Sequence, residues 1–501
     1  SIIISKIFMI WWTALIRQVK ILKDMGCDAI RTSHNMPSTL QLEVYDSLGM
    51  MVMAESFDMW NYPKCKNGYA LFFKDWGDKD ITNLVLNHRN HASVVMWSIG
   101  NEIPEQGSEQ GKELSAHLQG LCHQLDPSRP VTQGLDRVDD AVRSGVAEGM
   151  DVPGFNYRDH RYDANIAKLP QGFLLGSETG STVSSRGIYY FPVKVTHEGI
   201  HPDGQCSSYD TEYCSWSNLP DVDFYLQDER DWTIGQFVWT GFDYLGEPTP
   251  YDTYWPSRSS YFGIVDLAGL PKDRYYLYRS VWNKKEHTIH LLPHWTWKGR
   301  EGKVTPVYCY TDYPTAELLV NGKSQGKISK KKDLKPSTTA DNDAMNRELL
   351  DRYRLRWNHV KYEPGEIKVV VYDEKGRKAG EETVQTAGKA VAMRLVADRT
   401  ILTADGDDVA FVTVSLVDKN GVEVPTATDE LQFSVEGAGS FKAVCNGDAT
   451  SLESFTQPKM KLFSGKLVVL VQASNVPGTI RLNVKDLTQG KIKGSITLTV
   501  Q

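Results

Sequence analysis

Between residues 14 and 102 the sequence runs through one unit three times: an amphipathic helix, a glycine or polar stop, a short apolar strand, and a charged residue where the strand ends. A-L-I-R-Q-V-K-I-L-K-D-M (14–25) puts Leu15, Val19, Leu22 and Met25 on one helical face, and Gly26 supplies the stop. C-D-A-I-R-T-S follows as a strand. T-L-Q-L-E-V-Y-D-S-L is again a helix, ended by Gly49 and followed by the strand M-M-V-M-A-E-S-F. I-T-N-L-V-L-N-H-R and V-V-M-W-S-I-G-N-E complete the third pass. Helices alternating with apolar strands require a parallel sheet covered by helices.

The alternation continues through E-L-S-A-H-L-Q-G-L-C-H-Q-L, P-V-T-Q-G-L, V-P-G-F-N-Y, G-F-L-L-G-S-E and G-Q-F-V-W-T-G-F-D-Y. Counting from residue 27 gives seven strands, one short of the eight that close a (β/α)8 TIM-type barrel of ~250 residues. The first strand is therefore expected upstream of residue 14, with residues 2–10 as a makeshift substitute. An open barrel would expose two edges.

From about residue 286 the pattern changes. T-P-V-Y-C-Y-T, G-E-I-K-V-V-V-Y-D and V-A-F-V-T-V-S-L-V-D alternate apolar and polar residues between Gly, Asn and Asp turns, which is β-sandwich patterning. The hairpin signals V-Y-D-E-K-G-R and L-V-D-K-N-G-V point to two immunoglobulin-like sandwiches joined near Gly388. The expected fold is thus multidomain α/β plus all-β: a barrel over 1–285, then sandwiches over 286–388 and 389–501. The polar stretch 328–355 reads as an inserted loop with some helix.

The net charge of −7, with no dense basic stripe, argues against a nucleic-acid partner. No apolar run reaches the ~18 residues of a membrane span. The opening S-I-I-I-S-K-I-F-M-I-W-W lacks the basic start and the cleavage site of a signal peptide. None of the seven cysteines forms a C-x-x-C pair, so a zinc site has little support. Cys206 and Cys214 lie eight apart and could pair in an oxidising compartment.

Three strands end in acids: Glu55, Glu102 and Glu178. In a barrel of this kind catalytic groups sit where strands emerge at their C-terminal ends. One such acid alone is readily explained as a salt bridge or a helix cap. Asn101-Glu102 and Glu178, on strands four and seven, fit a catalytic pair, whereas Glu55 is evenly balanced between the two readings. Two carboxylates facing across a cleft can split a glycosidic bond, one giving a proton and the other attacking carbon or activating water.

R-T-S-H-N-M-P, A-E-S-F-D-M-W, R-N-H-A-S-V-V-M-W-S-I-G-N-E, L-G-S-E-T-G and F-V-W-T-G-F-D-Y-L-G-E-P-T-P occur in this order. Together they resemble glycoside hydrolase family 2, the β-galactosidase and β-glucuronidase family. The likeness covers residues 14–285, and L-L-P-H-W-T-W with A-E-L-L-V-N-G-K resembles the modules that follow the barrel in that family. The resemblance implies Glu102 as acid/base and Glu178 as nucleophile of a retaining mechanism. It implies Asn101 on the sugar 2-hydroxyl, Tyr157 on the nucleophile, Arg31 and His34 in the sugar subsite, and Trp239 beneath the ring. Asp243, Glu247 and Trp60 are weaker candidates for hydroxyl contacts and stacking.

Departures from the family pattern narrow this. Magnesium-dependent relatives carry a Glu and a His where this chain has Met59 and Asn61, so no metal and no cofactor is expected. Galactose-specific relatives place a histidine at the position of Ser181, and glucuronidases carry an N-x-K-G-I-F stretch where S-S-Y-F-G-I-V-D stands here. The expected function is a retaining exo-β-glycosidase, first a β-galactosidase and alternatively a β-glucuronidase or another β-glycosidase, acting on carbohydrate chain ends. The reading from another class is a silent fragment, a carbohydrate-binding or structural remnant, because the family's front sandwiches and first strand are not apparent. The resemblance implies a periplasmic or extracellular location, and a homo-oligomer is compatible with it. The long segment 179–230 is expected to wall the subsites.

Overall fold

The computed structural model describes residues 2–4, 12–197 and 199–501. Eight parallel strands form a closed barrel in chain order: β1 (Ile2–Ile4), β2 (Ala29–Thr32), β3 (Met51–Glu55), β4 (Val94–Asn101), β5 (Val131–Leu135), β6 (Val152–Asn156), β7 (Leu174–Thr179) and β8 (Thr233–Val238). Strands covered on both faces are largely apolar, and β2, β5, β6 and β7 are buried at every position, their polar residues included. The gap before strand two is filled by β1, with Ile2 opposite Ala29 on one side and Phe237 on the other. Of the segment 2–10 expected to supply that strand, residues 5–10 lie outside the described residues.

The helices begin and end where their sequence signals stand. α1 (Trp12–Met25) buries Leu15, Val19, Leu22 and Met25, each such side chain contributing roughly 1.5–3 kcal/mol. Gly26 follows at φ 95, where an added Cβ would sit 2.5 Å from the backbone of Trp282 and Asn283, so only glycine fits. α2 (Thr39–Leu48) opens with a capping box between Ser38 and Gln41 and closes at Gly49 in the left-handed region. α3 (Ala70–His88) is longer than its apolar signal suggested, extending back over A-L-F-F-K-D-W-G-D-K-D. Those first two turns leave Leu71, Phe72 and Trp76 exposed, which is why periodicity did not mark them.

Beyond the barrel all sheets are antiparallel apart from one short parallel pairing, Ile401–Leu402 with Lys493–Val500. The strands Ile289–Leu292, Val307–Thr311 and Leu355–Trp357 face a four-stranded sheet built on Thr315–Val320 and Glu366–Tyr372. Leu291, Val307 and Cys309 from one sheet pack with Leu318, Val369 and Val371 from the other. A second sandwich sets Ala392–Ala397, Val409–Val417, Gly439–Cys445 and Lys466–Ala473 against a five-stranded sheet. Its core joins Val412, Val414, Val469 and Val471 to Phe433, Leu482 and Leu498. The polar stretch 328–355 contains the helices Asn342–Glu348 and Leu350–Tyr353.

Both sandwiches grip the long segment between β7 and β8. Tyr209 donates from its hydroxyl to Pro306 O at 2.6 Å, and Arg354 pairs with Asp221. Gln205 donates to Asp448 at 2.8 Å, while Arg186 bridges Asp266 and Asn446 O. Cys206 and Cys214 are buried and free, so the segment is held by these polar contacts rather than by the disulfide considered above. No described helix is long and apolar enough to cross a membrane.

Candidate active site

At the C-terminal mouth of the barrel a cleft of about 450 Å³ is lined by Glu102, Glu178, Asn101, Tyr157, His34 and Trp239, together with Asp58, Lys64, Asp136, Arg158, Ser181, Trp216 and Glu247. The chain turns sharply at four of these positions, Arg158 and Glu247 among them. Glu102 follows β4 at φ 46 and Tyr157 follows β6 at φ 55, backbone conformations that cost of order 1–3 kcal/mol for residues with a Cβ. Hydrogen bonds from neighbouring strands fix both: Glu102 N to Gly134 O at 2.8 Å, and Tyr157 N to Glu178 O at 2.6 Å. The strain aims both side chains into the mouth.

Beneath the cleft, fully buried Arg31 is the hub. Its guanidinium donates to Glu55 Oε2 at 2.8 Å, Glu178 Oε2 at 3.0 Å, Asn101 Oδ1 at 2.8 Å and Ser177 O at 2.7 Å. Burial alone would raise the Glu55 pKa. The charge of Arg31, with hydrogen bonds from His34 and Ser98, reverses that and holds it at about 2. Because Glu55 is ionised, His34 Nδ1 donates to it, at 2.6 Å. The His34 ring lies flat against Trp239, 5.4 Å between centroids and 6° between planes, so the two form one apolar floor.

Glu178 accepts from Arg31 on one oxygen and from the Tyr157 hydroxyl, at 2.8 Å, on the other. Ser181 donates in turn to Tyr157 at 2.8 Å. Glu102 has a different setting: its one donor among the described residues is Asn156 Nδ2 at 3.2 Å. Burial first, then the charges of Glu178 and Asp136, push its pKa up to about 7, with Lys64 and Asn156 offsetting in part. One carboxylate is thus fixed as an acceptor and the other is poised to carry a proton near neutrality.

Residues 8–151 match the model for the glycosyl hydrolases family 2 TIM barrel domain, and residues 393–497 match glycoside hydrolase family 2 C-terminal domain 5. The chain belongs to glycoside hydrolase family 2. A domain of unknown function matches residues 302–380 of this family 2 chain. The chain is 39% identical to "Beta-galactosidase BoGH2A" of Bacteroides ovatus, over 94% of this chain and 57% of that protein. It is 28% identical to a "Putative beta-glucuronidase" of Formosa agariphila, over 93% and 44% respectively. A crystal structure of a β-glycosidase from Bacteroides vulgatus superimposes with a TM-score of 0.83 at 32% identity, covering 98% of this chain and 61% of that one. The chain therefore spans about half to three-fifths of the length of these relatives.

Some of the expected residues of the family 2 chain lie elsewhere. Asp243 is buried behind the floor, paired with Lys272 Nζ at 2.7 Å and accepting from Gly263 N at 2.7 Å. Those contacts spend its acceptors on the loop after β8, so it does not line the cleft as a sugar contact. Trp60 is fully buried and donates to Ile99 O, a core residue rather than a stacking platform. Arg31 has no exposed surface and acts on the cleft only through its partners. Sequence reading missed Asp58, Lys64, Asp136, Asn156, Arg158 and Trp216. Of these Asn156, at the tip of β6 in F-N-Y, carried a readable signal, because it sits where Asn101 sits on β4. Lys64 donates to Asp58 and to Asn101 O, each at 2.9 Å, and lies in a loop with no periodicity to mark it.

Proposed function

We propose that this chain carries the catalytic site of a retaining exo-β-galactosidase that removes terminal sugars from oligo- or polysaccharides. The reading rests on the opposite settings of the two acids. Glu178, held by Arg31 and Tyr157, attacks the anomeric carbon while Glu102 gives its proton to the departing glycosidic oxygen. In the second step Glu102, now ionised, takes a proton from water, the water oxygen bonds to the anomeric carbon, and Glu178 leaves as a carboxylate. Asn101, fixed by Arg31 and Asn156, holds the 2-hydroxyl. The floor of His34 and Trp239 takes the apolar face of the ring.

Charge favours a neutral sugar over a uronic acid. The cleft is lined by the carboxylates Asp58, Asp136, Glu178 and Glu247 and by the proton donor Glu102, against Lys64 and Arg158. Lys64 is already paired with Asp58, so a substrate carboxylate would meet repulsion.

The test is a panel of nitrophenyl β-glycosides. The β-galactoside should be hydrolysed faster than the β-glucuronide, with the β-anomer of the free sugar appearing first by NMR. A 2-fluoro galactoside should label a peptide containing Glu178, and Glu178→Gln should lower turnover on the order of 10⁴-fold or more. Preference for the glucuronide would overturn the sugar. First appearance of the α-anomer, or a label elsewhere, would overturn the mechanism.

A further inference from the structure

The cleft has an aromatic wall that the reaction outlined above leaves without a task. Trp216 lines it and is 37% exposed. Among the described residues, Trp216 is no member of a buried hydrophobic cluster. Exposure by itself would carry nothing: Trp255 is 74% exposed and does not line the cleft. Trp216 differs in that the backbone turn carrying it is hydrogen-bonded to the stretch beside the reacting groups. Cys214 N donates to Ser181 O at 3.1 Å, Ser217 N donates to Cys214 O at 2.9 Å, and the Ser217 hydroxyl accepts from Ser181 N at 2.7 Å. Ser181 stands three residues beyond Glu178 and donates to Tyr157. The turn that carries the indole is thus tied to the same short stretch as the proposed nucleophile, and its flanks Cys214, Ser217 and Asn218 are buried.

The position of the wall around the barrel says which part of a substrate it meets. The groups assigned to hold the terminal sugar come from the ends of β8, β2 and β4: Trp239, His34 and Asn101. The opposite sector, after β5, β6 and β7, supplies Asp136, Arg158 and Trp216. Arg158, at φ 56, directs its guanidinium to Trp216 O at 3.3 Å. Glu102 ends β4 at the border of the two sectors and feels the charge of Asp136. A proton donor must stand beside the leaving group, so the leaving group belongs on the Asp136–Arg158–Trp216 side.

We infer that Trp216 and Arg158 form the leaving-group subsite, and that they select a second sugar ring there. This rests on the β-galactosidase reading of the same cleft. An indole face stacks on the C–H face of a pyranose, while Arg158 donates to hydroxyls and Asp136 accepts from them. An aromatic plane flanked by a donor and an acceptor suits a sugar better than a plain alkyl or aryl group. The preferred substrate class is therefore an oligosaccharide with a β-linked terminal galactose.

The inference is tested by the ratio of kcat/KM for a β-galactosyl disaccharide to kcat/KM for β-galactosyl fluoride, whose leaving group is too small to stack. Trp216→Ala should lower that ratio about tenfold, and Trp216→Phe should restore most of it. An unchanged ratio would overturn the inference, because a fold defect or a role on the terminal sugar lowers both rates together. Lack of rescue by phenylalanine would equally overturn stacking. Calorimetry in the Glu178→Gln background gives a readout without turnover. There Trp216→Ala should weaken the disaccharide about tenfold relative to free galactose, and equal weakening of both would count against the subsite. Failure of the unaltered chain to cleave galactosyl fluoride would instead sink the parent reading of the function, and the calorimetric comparison would still decide the subsite.

Discussion

Glu55 and Glu102 end adjacent strands of one barrel and have opposite characters. Glu55 lies at the dry base of the mouth, without exposed surface, against Arg31, His34 and Ser98. Glu102 lies at the rim, partly exposed, with one amide donor and two carboxylates nearby. The first is held at about 2 and the second pushed to about 7. A strand tip delivers an acid to the mouth, but the charges around it decide whether that acid organises the site or moves a proton.

The largest consequence of this difference concerns leaving groups. Glu102→Ala should slow hydrolysis of a β-galactosyl disaccharide by about 10²–10⁴-fold. An activated dinitrophenyl galactoside, whose leaving oxygen needs little protonation, should lose far less in its first step. Added azide should restore turnover by attacking the glycosyl-enzyme in place of activated water. Rates measured across a series of aryl leaving groups check this. Uniform loss with no azide rescue would assign Glu102 a structural role like that of Glu55.

Stability should separate the two acids in sign. The folded-state pKa of Glu55 lies below its unfolded value, so its contribution is present above about pH 4 and lost as pH falls towards 2. Glu55→Gln leaves buried Arg31 with Glu178 as its one anionic partner and should cost about 3 kcal/mol at neutral pH. For Glu102 the folded pKa lies above the unfolded one, so ionising it works against folding as pH rises from about 4.5 through 7. Discounted for partial exposure, Glu102→Gln should therefore stabilise the chain by about 1–2 kcal/mol at pH 8 and by little at pH 4. Denaturant melts at the two pH values check both arms. Shifts of the same sign at pH 8 would break the contrast.

Much of this was legible in the sequence. The repeating helix–stop–strand unit fixes the barrel because both of its periodicities are local properties of consecutive residues. The carboxylates Glu102 and Glu178 stand out because apolar strands end abruptly in them. Alternation after residue 286 gives the sandwiches for the same reason. Asp243 was misjudged because its partner Lys272 lies 29 positions downstream, and no local pattern announces an ion pair across a loop. Trp216 and Lys64 escaped notice because loops carry no period. Their place in the cleft depends on long-range ties, such as Ser181 to Ser217 and Lys64 to Asn101. Sequence set Glu102 apart from Glu55 but left the role of Glu55 evenly balanced, since that role depends on which charges the closed barrel brings around it.

The smallest effect sharpens the comparison most. If neighbouring charge makes Glu102 an acid, a third carboxylate should tune it without touching substrate chemistry. Asp136 is that group. It raises the Glu102 pKa, after burial and Glu178, and its Oδ1 accepts from Gln106 Nε2 at 2.6 Å. Asp136→Asn removes the charge and keeps an oxygen acceptor for Gln106, so the local fold should hold. Lowering the Glu102 pKa means that its proton leaves at lower pH. The alkaline limb of kcat/KM for methyl β-galactoside, whose leaving oxygen needs the proton, reports the free enzyme and should then move down by about half a pH unit from near pH 7. The acidic limb, set by a different group, should stay in place. A methoxy leaving group is too small to fill the subsite in which Asp136 takes part, so loss of sugar contacts there does not confound the reading. A limb that stays where it was would mean that burial and Glu178 alone set the acid, and that Asp136 belongs to the leaving-group wall only.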